Sequence, residues 1–285
     1  MGVSAHAGQP PAPEALPIPV VDNHTHLDWE GDPGDPSVGE KLAAAVAAGV
    51  THVVQIGCEL ATAHWTAAAV LEHPAMVGGV ALHPNEAPLH ANGTHPSGIS
   101  YEDAFAQIAE LARGPRIRVV GETGLDFYRT GPDGVAAQVR AFRDHIALAR
   151  ELDLPLQIHD RDAHAQVLEV LDADGLPPAV IMHCFSGDVA FARECLSRGF
   201  YLSFAGTVTF SIAPALREAA ALTPRNRLLV ETDAPYLTPV PHRGRPNSPA
   251  QAAHTVRALA EARGDDLEAL CVDLWVNSQG LYGPW

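Results

Sequence analysis

Ile18-Pro19-Val20-Val21-Asp22-Asn23-His24-Thr25-His26 is an apolar run that stops on two histidines one residue apart. On a strand, residues i and i+2 point the same way, so both imidazoles can reach one point beyond the strand's end. The same arrangement returns along the chain. Arg118-Val119-Val120-Gly121 ends on Glu122, Leu156-Gln157-Ile158 ends on His159, and Val180-Ile181-Met182 ends on His183. Leu228-Leu229-Val230-Glu231-Thr232 leads to Asp233. Five strand ends bearing nitrogen or oxygen donors point to a barrel that holds divalent metal at its C-terminal mouth.

The spacing predicts strands over 18–22, 53–57, 77–82, 118–121, 156–159, 180–183, 201–204 and 228–232. Helical runs lie between them near 38–48, 60–72, 101–113, 134–152, 162–173, 188–198 and 212–222, with further helices near 249–263 and 265–279. In 134–152, Val135, Val139, Phe142, Ile146 and Ala149 recur at spacings of three and four and share one face. Strands alternating with helices call for parallel pairing. Eight such units predict a closed (β/α)8 TIM barrel, with an open doubly wound sheet as the alternative. The 285 residues suit one such barrel. Residues 18–285 are expected to form it as a single domain, after a flexible Pro- and Ala-rich leader over 1–17. The loop 83–100, rich in Pro, Gly, Asn and His, is expected near the mouth.

The formal charge of −16 argues against a protein coated with nucleic acid, since non-specific binding needs many cationic contacts to phosphate. It leaves room for an enzyme that grips a few phosphates in a metal-bearing cleft. No apolar stretch reaches the roughly 18 residues of a membrane span, and the leader lacks the features of a signal peptide. The four cysteines, Cys58, Cys184, Cys195 and Cys271, form no C-x-x-C pair. They read as reduced thiols of a cytoplasmic protein.

Several residues carry more than one reading. Fifteen histidines make a chance His24/His26 pair conceivable, and a lone His159 or His183 after a strand is commonly a satisfied hydrogen-bonding residue. Their shared strand-end position favours ligation. Asp22 and Asp28 flank the paired histidines and could orient a ring N–H. Glu122, between Gly121 and Gly124, has two oxygens and can bridge two cations. Asp126 is open between supporting a ligand, touching substrate and capping a helix. Arg161 can meet a phosphate bidentately or pair with Asp160 or Asp162. Glu231 is expected to point away from Asp233, in a structural role. Arg243 and Arg245 bring positive charge to the mouth of an acidic protein.

From about residue 20 to its end the chain resembles the TatD-type metal-dependent deoxyribonucleases of the amidohydrolase superfamily. The resemblance rests on Val21-Asp22-Asn23-His24-Thr25-His26-Leu27, His83-Pro84, Gly121-Glu122-Thr123-Gly124-Leu125-Asp126-Phe127 and His159-Asp160-Arg161. It continues in His183-Cys184-Phe185-Ser186-Gly187, Glu231-Thr232-Asp233-Ala234-Pro235-Tyr236 and Arg243-Gly244-Arg245-Pro246-Asn247-Ser248-Pro249. It implies a TIM barrel with one metal on His24, His26, Glu122 and Asp233, and a second on Glu122, His159 and His183. Ala81 stands where the family often has Gly, Ser248 where an acid is common, and the leader has no family counterpart.

The expected activity is hydrolysis of phosphodiester bonds in DNA, 3′ to 5′, in repair or turnover. Two divalent ions (Zn, Mn, Mg, Fe, Co or Ni) would activate water, with Asp233 and Glu122 as the catalytic carboxylates. Arg161, Arg243, Arg245 and His83 are the expected substrate contacts, with DNA held transiently through its phosphates. Neither a membrane nor an obligate protein partner is expected. The rival readings are an enzyme acting on an amide, lactone or phosphotriester, and a metal-binding protein without catalysis.

Overall fold

The computed structural model describes residues 8–29 and 35–285. Eight strands run through them: β1 (Val20–Thr25), β2 (Val50–Gly57), β3 (Met76–Val80), β4 (Ile117–Asp126), β5 (Leu156–Arg161), β6 (Val180–Met182), β7 (Tyr201–Phe204) and β8 (Leu228–Val230). They lie side by side in chain order, each parallel to the next. A parallel bridge between Thr25 and Ala234 brings the first strand to the last. The closed alternative therefore holds over the open sheet. Helices α1 (Val38–Ala47), α2 (Leu60–Glu72), α3 (Ala87–Ala91), α4 (Tyr101–Ala112), α5 (Pro132–Leu152), α6 (His164–Asp174), α7 (Val189–Ser197), α8 (Pro214–Leu222), α9 (Ala252–Arg263) and α10 (Leu267–Tyr282) surround it.

Alternation along the strands sorts the apolar residues into two layers. Val21, Val54, Val77, Val119, Ile181 and Leu229 point inward and pack with Tyr282 of α10. Their neighbours Val20, Val53, Met76, Val120, Val180 and Leu228 point outward into the layer shared with the helices. Strands buried on both faces read as continuous apolar runs, which is why no polar alternation marks them in the sequence. Ser37, Ser100, Asp188 and Asp266 cap α1, α4, α7 and α10 by accepting a backbone N–H with their side chains.

The seam between β1 and β8 is stitched by side chains. Asp22 Oδ1 accepts the Thr232 N–H at 2.9 Å, and Thr232 Oγ1 lies 2.5 Å from Asp22 Oδ2. Asn23 Nδ2 donates to the Val230 carbonyl at 2.8 Å. Beyond these, Asp233 N donates to His24 O and His26 N donates to Ala234 O. The seam thus fixes the paired histidines against Asp233.

Three elements differ from expectation. β1 runs on to Thr25, carrying His24 inside the strand. β4 continues to Asp126, so Glu122 sits within the strand rather than at its end. The 83–100 loop contains α3, a helix of five residues hidden by its Pro- and His-rich composition. Of the expected leader, residues 1–7 lie outside the described residues. Its remainder carries contacts to the barrel: Leu16 is buried and donates to Ala48 O at 3.0 Å, and Ala15 O accepts from Arg257 at 3.1 Å. Among the described residues no helix is long and apolar enough to cross a membrane.

Candidate metal centre

The six residues singled out by the sequence meet at the C-terminal mouth. Nε2 of His24 lies 3.1 Å from Nε2 of His26 and 3.6 Å from Glu122 Oε2. His26 Nε2 is 3.5 Å from Asp233 Oδ1, and His183 Nε2 is 3.5 Å from Glu122 Oε1. His159 Nδ1 is 2.6 Å from the same Glu122 oxygen. Donor atoms of His24, Glu122 and His183, and of His24, His26 and Asp233, each fall within 4.8 Å of one another. Either trio has the size and chemistry of a site for one divalent ion.

The hydrogen bonds behind the histidines test whether a cation fits. His24 Nδ1 faces Gln157 Oε1 at 2.8 Å and His26 Nδ1 faces the Ile56 carbonyl at 3.0 Å. His183 Nδ1 lies 2.9 Å from Glu231 Oε1, off the ideal hydrogen-bond line. All three partners are acceptors, so in the neutral ring each Nδ1 carries the proton and each Nε2 presents a lone pair. The three lone pairs converge on two carboxylates. Such a constellation fits divalent metal, for which neutral imidazole with its far N–H anchored is the usual ligand form.

The electrostatics agree. Burial, followed by His183, holds His24 well below the usual imidazole range. Burial pulls His26 down too, but Asp233 outweighs it and raises that imidazole to about 9. His183 rises to about 10 because Glu231 and Glu122 overcome its burial. Burial favours neutral Glu122, yet His183 and His83 reverse this and hold it well below the usual range. Without a cation, protons occupy the position that a cation would take.

Glu122 reaches the centre because β4 approaches β5 closely. A Cβ on Gly121 would meet Gln157 Cβ at 2.6 Å. One on Gly124, whose φ is 138°, would lie 2.1 Å from the His159 carbonyl oxygen. Glycine at 124 is required both by conformation and by space.

Of its three open roles Asp126 fills that of supporting a ligand, and it caps no helix, since α5 starts at Pro132. Its Oδ2 lies 3.2 Å from His159 Nε2, and its Oδ1 accepts the N–H groups of Tyr128 and Arg129. Asn85 Nδ2 donates to the same Oδ2 at 3.0 Å. His83 differs from the other histidines. Its Nδ1 accepts the Asn85 N–H at 3.1 Å, so in the neutral ring Nε2 carries the proton, 3.6 Å from Glu122 Oε1. Burial favours that neutral ring. His83 thus offers a donor to the mouth, where its neighbours offer lone pairs.

Glu231 is not turned away from the centre, contrary to the expectation above; residues two apart on a strand share a face. It is fully buried behind His183 and accepts from Cys184 N and Ser203 Oγ. β8 ends at Val230, and Asp233 adopts a φ of 54° just beyond it. Cys58 is a further residue the sequence reading did not place here. Its thiol donates to Glu122 Oε2 at 3.5 Å, and burial followed by Glu122 pushes its pKa well above the ordinary value.

The arginines stand outside this cluster; among the described residues none of the three hydrogen-bonds to the six. Arg161 pairs with neither Asp160 nor Asp162 and lies over the Tyr128 ring, 4.4 Å from its centroid. Asp160 instead faces His164 at 2.7 Å. Arg243 stacks on Phe210 at 4.0 Å, and Arg245 reaches the Gln9 carbonyl at 3.5 Å.

The family model described as TatD related DNase matches residues 21–283. The chain belongs to this TatD-related family. It is 44% identical over 268 residues to the uncharacterized metal-dependent hydrolase TatD of Mycobacterium tuberculosis, covering 93% of this chain and 98% of that protein. It is 35% identical to the 3′-5′ ssDNA/RNA exonuclease TatD of Citrobacter rodentium, over 86% of this chain and 91% of the relative. Among solved structures, the TatD homolog YJJV of Escherichia coli superposes with a TM-score of 0.82 at 26% identity, covering 93% of this chain and 98% of that one. The TatD-family chain is accordingly a metal-dependent hydrolase, and its His, Glu and Asp clusters could hold the metal.

Proposed function

We propose that this hydrolase cleaves phosphodiester bonds in DNA, removing nucleotides from the 3′ end. The observation that carries the reading is the convergence of three Nε2 lone pairs on Glu122 and Asp233. In this reading His24, His26, Glu122 and Asp233 hold one divalent ion, and Glu122, His159 and His183 hold another. Bound cations would supply Lewis acidity, lowering the pKa of water and offsetting phosphoryl charge. Zn, Mn, Mg, Fe, Co and Ni all suit these donors to some degree.

The protein's own groups complete the chemistry. Asp233, at the mouth beside His26, accepts the proton of the attacking water on its carboxylate. Glu122 holds the ligand set together. Nε2–H of His83 points into the cluster and can donate to an oxygen of the substrate or of the departing group. Arg161, Arg243 and Arg245 supply the positive charge that meets the phosphate backbone. The naming of a relative as a single-strand exonuclease supports a nucleic-acid substrate. The four free thiols suit a reducing compartment, so we assign the protein to the cytoplasm. In this reading residues 18–285 form one domain behind the leader, and the family resemblance supports a role in DNA repair or turnover.

Labelled single- and double-stranded DNA and RNA, incubated with a panel of divalent ions, test the proposal. Cleavage stepping from the 3′ end of DNA, lost in chelator and restored by metal, is the expected result. Hydrolysis of amide, lactone or phosphotriester substrates with nucleic acid left intact would overturn it.

A further inference from the structure

Gln157 lies in β5 with its side chain inside the barrel, fully buried, while Leu156 and Ile158 on either side face the outer layer. Both of its amide hydrogens are committed. Nε2 donates to the Asn23 carbonyl at 2.7 Å and to the Tyr282 phenol oxygen at 3.0 Å. Asn23 is itself fixed, its side chain donating to Val230 O at 2.8 Å and accepting from Ser278 Oγ at 3.1 Å. Turning the Gln157 amide over would press Oε1 against the Asn23 carbonyl, two buried acceptors with no donor between them. Oε1 therefore faces His24 Nδ1, at 2.8 Å. An amide oxygen only accepts, so His24 must carry its proton on Nδ1 and leave Nε2 bare. The glycine at 121 provides the room, since a Cβ there would overlap Gln157 Cβ.

We propose that Gln157, locked by Asn23 and by Tyr282 from the C-terminal helix, is a positioning residue that sets the tautomer of His24 and so the metal affinity of the centre. The proposal rests on His24 being a ligand. It adds that the ligand's readiness is determined at the floor of the barrel, by a tyrosine three residues before the last. A neutral His24 free of this bond can place its proton on Nε2, where it blocks the cation. Outer partners of ligating histidines typically contribute 10–100-fold to metal affinity.

The test uses full-length metal-free protein and Mn²⁺ as the probe. Two-bond ¹⁵N–¹H correlation spectra read the His24 tautomer, and titration calorimetry reads the Mn²⁺ affinity. Wild type should show the proton on Nδ1. Gln157→Leu should shift the tautomer toward Nε2–H and weaken Mn²⁺ by about 10–100-fold. Tyr282→Phe, which removes one of two amide anchors, should weaken it less. Gln157→Glu should restore the affinity, because a protonated carboxyl can accept from His24 and donate to the Asn23 carbonyl. A wild-type His24 bearing its proton on Nε2 would overturn the proposal without any variant. So would Gln157→Leu with unchanged Mn²⁺ affinity. His24→Ala binding Mn²⁺ as wild type does would instead retire the ligand assignment beneath it.

Discussion

The Nε2 atoms of His24 and His26 stand 3.1 Å apart, while Nδ1 of each is engaged by a buried acceptor. Two lone pairs at that separation repel unless something positive lies between them or one takes a proton.

Metal-reconstituted protein should hold about two ions per chain, the number a two-metal displacement requires. Glu122→Gln should lose at least one, because a neutral amide bridges two cations poorly. Elemental analysis after dialysis measures both. Saturation of the wild type at one ion would remove the binuclear arrangement and leave the hydrolase assignment standing.

Asp233→Asn should keep much of its metal and lose turnover. The amide retains an oxygen that can ligate but cannot take up a proton near neutrality, and loss of a general base costs on the order of 10²–10⁴-fold. Metal content and kcat should be measured on the same preparations. Near wild-type turnover in the loaded variant would move the base elsewhere.

Metal uptake should release protons and strengthen as pH rises. His26 and His183 stand at about 9 and about 10 without metal, raised from 6.5, so at neutral pH a cation must displace their protons. The sign for stability is opposite. A raised folded-state pKa stabilises fully below the unfolded value of 6.5, and that contribution disappears as pH climbs through 9 to 10. Chelated protein should therefore melt at lower temperature at high pH. Calorimetry in buffers of differing ionisation enthalpy counts the protons; no dependence on buffer would contradict the scheme.

Tyr128→Ala and Arg161→Ala should raise KM for oligonucleotides and spare metal content. Tyr128 is 66% exposed and carries Arg161 over its ring, offering a base a stacking surface beside the centre. Such stacking is typically worth about 1–3 kcal/mol per base. Arg243→Ala and Arg245→Ala should raise KM through phosphate contact and reduce the salt dependence of binding. Unchanged kinetics in all four would place substrate elsewhere on the mouth.

Gly124→Ala should weaken both fold and metal site. Its Cβ would overlap the His159 carbonyl, and its φ of 138° is hostile to a side chain. Strained backbone alone costs on the order of 1–3 kcal/mol. A wild-type melting temperature would show that β4 can retreat from β5 at little cost.

The barrel and its six donors were legible because chemistry-bearing residues stand where apolar runs stop. His24, His26, His159, His183 and Asp233 each break such a run, and Glu122 sits between glycines that a packed strand would otherwise avoid. The support behind them was not legible. Gln157 falls inside a strand, and nothing in Leu156-Gln157-Ile158 says that its amide is spoken for by Asn23 and Tyr282, which lie 134 and 125 residues away. Glu231 was given the wrong face because it stands two positions from Asp233, a spacing that places residues on the same side of a strand, not on opposite sides. Helix α3 was missed because five residues are too few for a periodic signal.

The seam between β1 and β8 joins residues 210 positions apart in the chain, Asp22 and Thr232. A ribosome delivers His24 and His26 long before Asp233. Tyr282, which locks Gln157, emerges later still. A nascent chain can therefore carry His24, His26, Glu122, His159 and His183 without closing the seam that sets Asp233 beside them, and hydrolytic chemistry is withheld until that seam forms. For a metal-dependent hydrolase, the order of the chain acts as a safety catch.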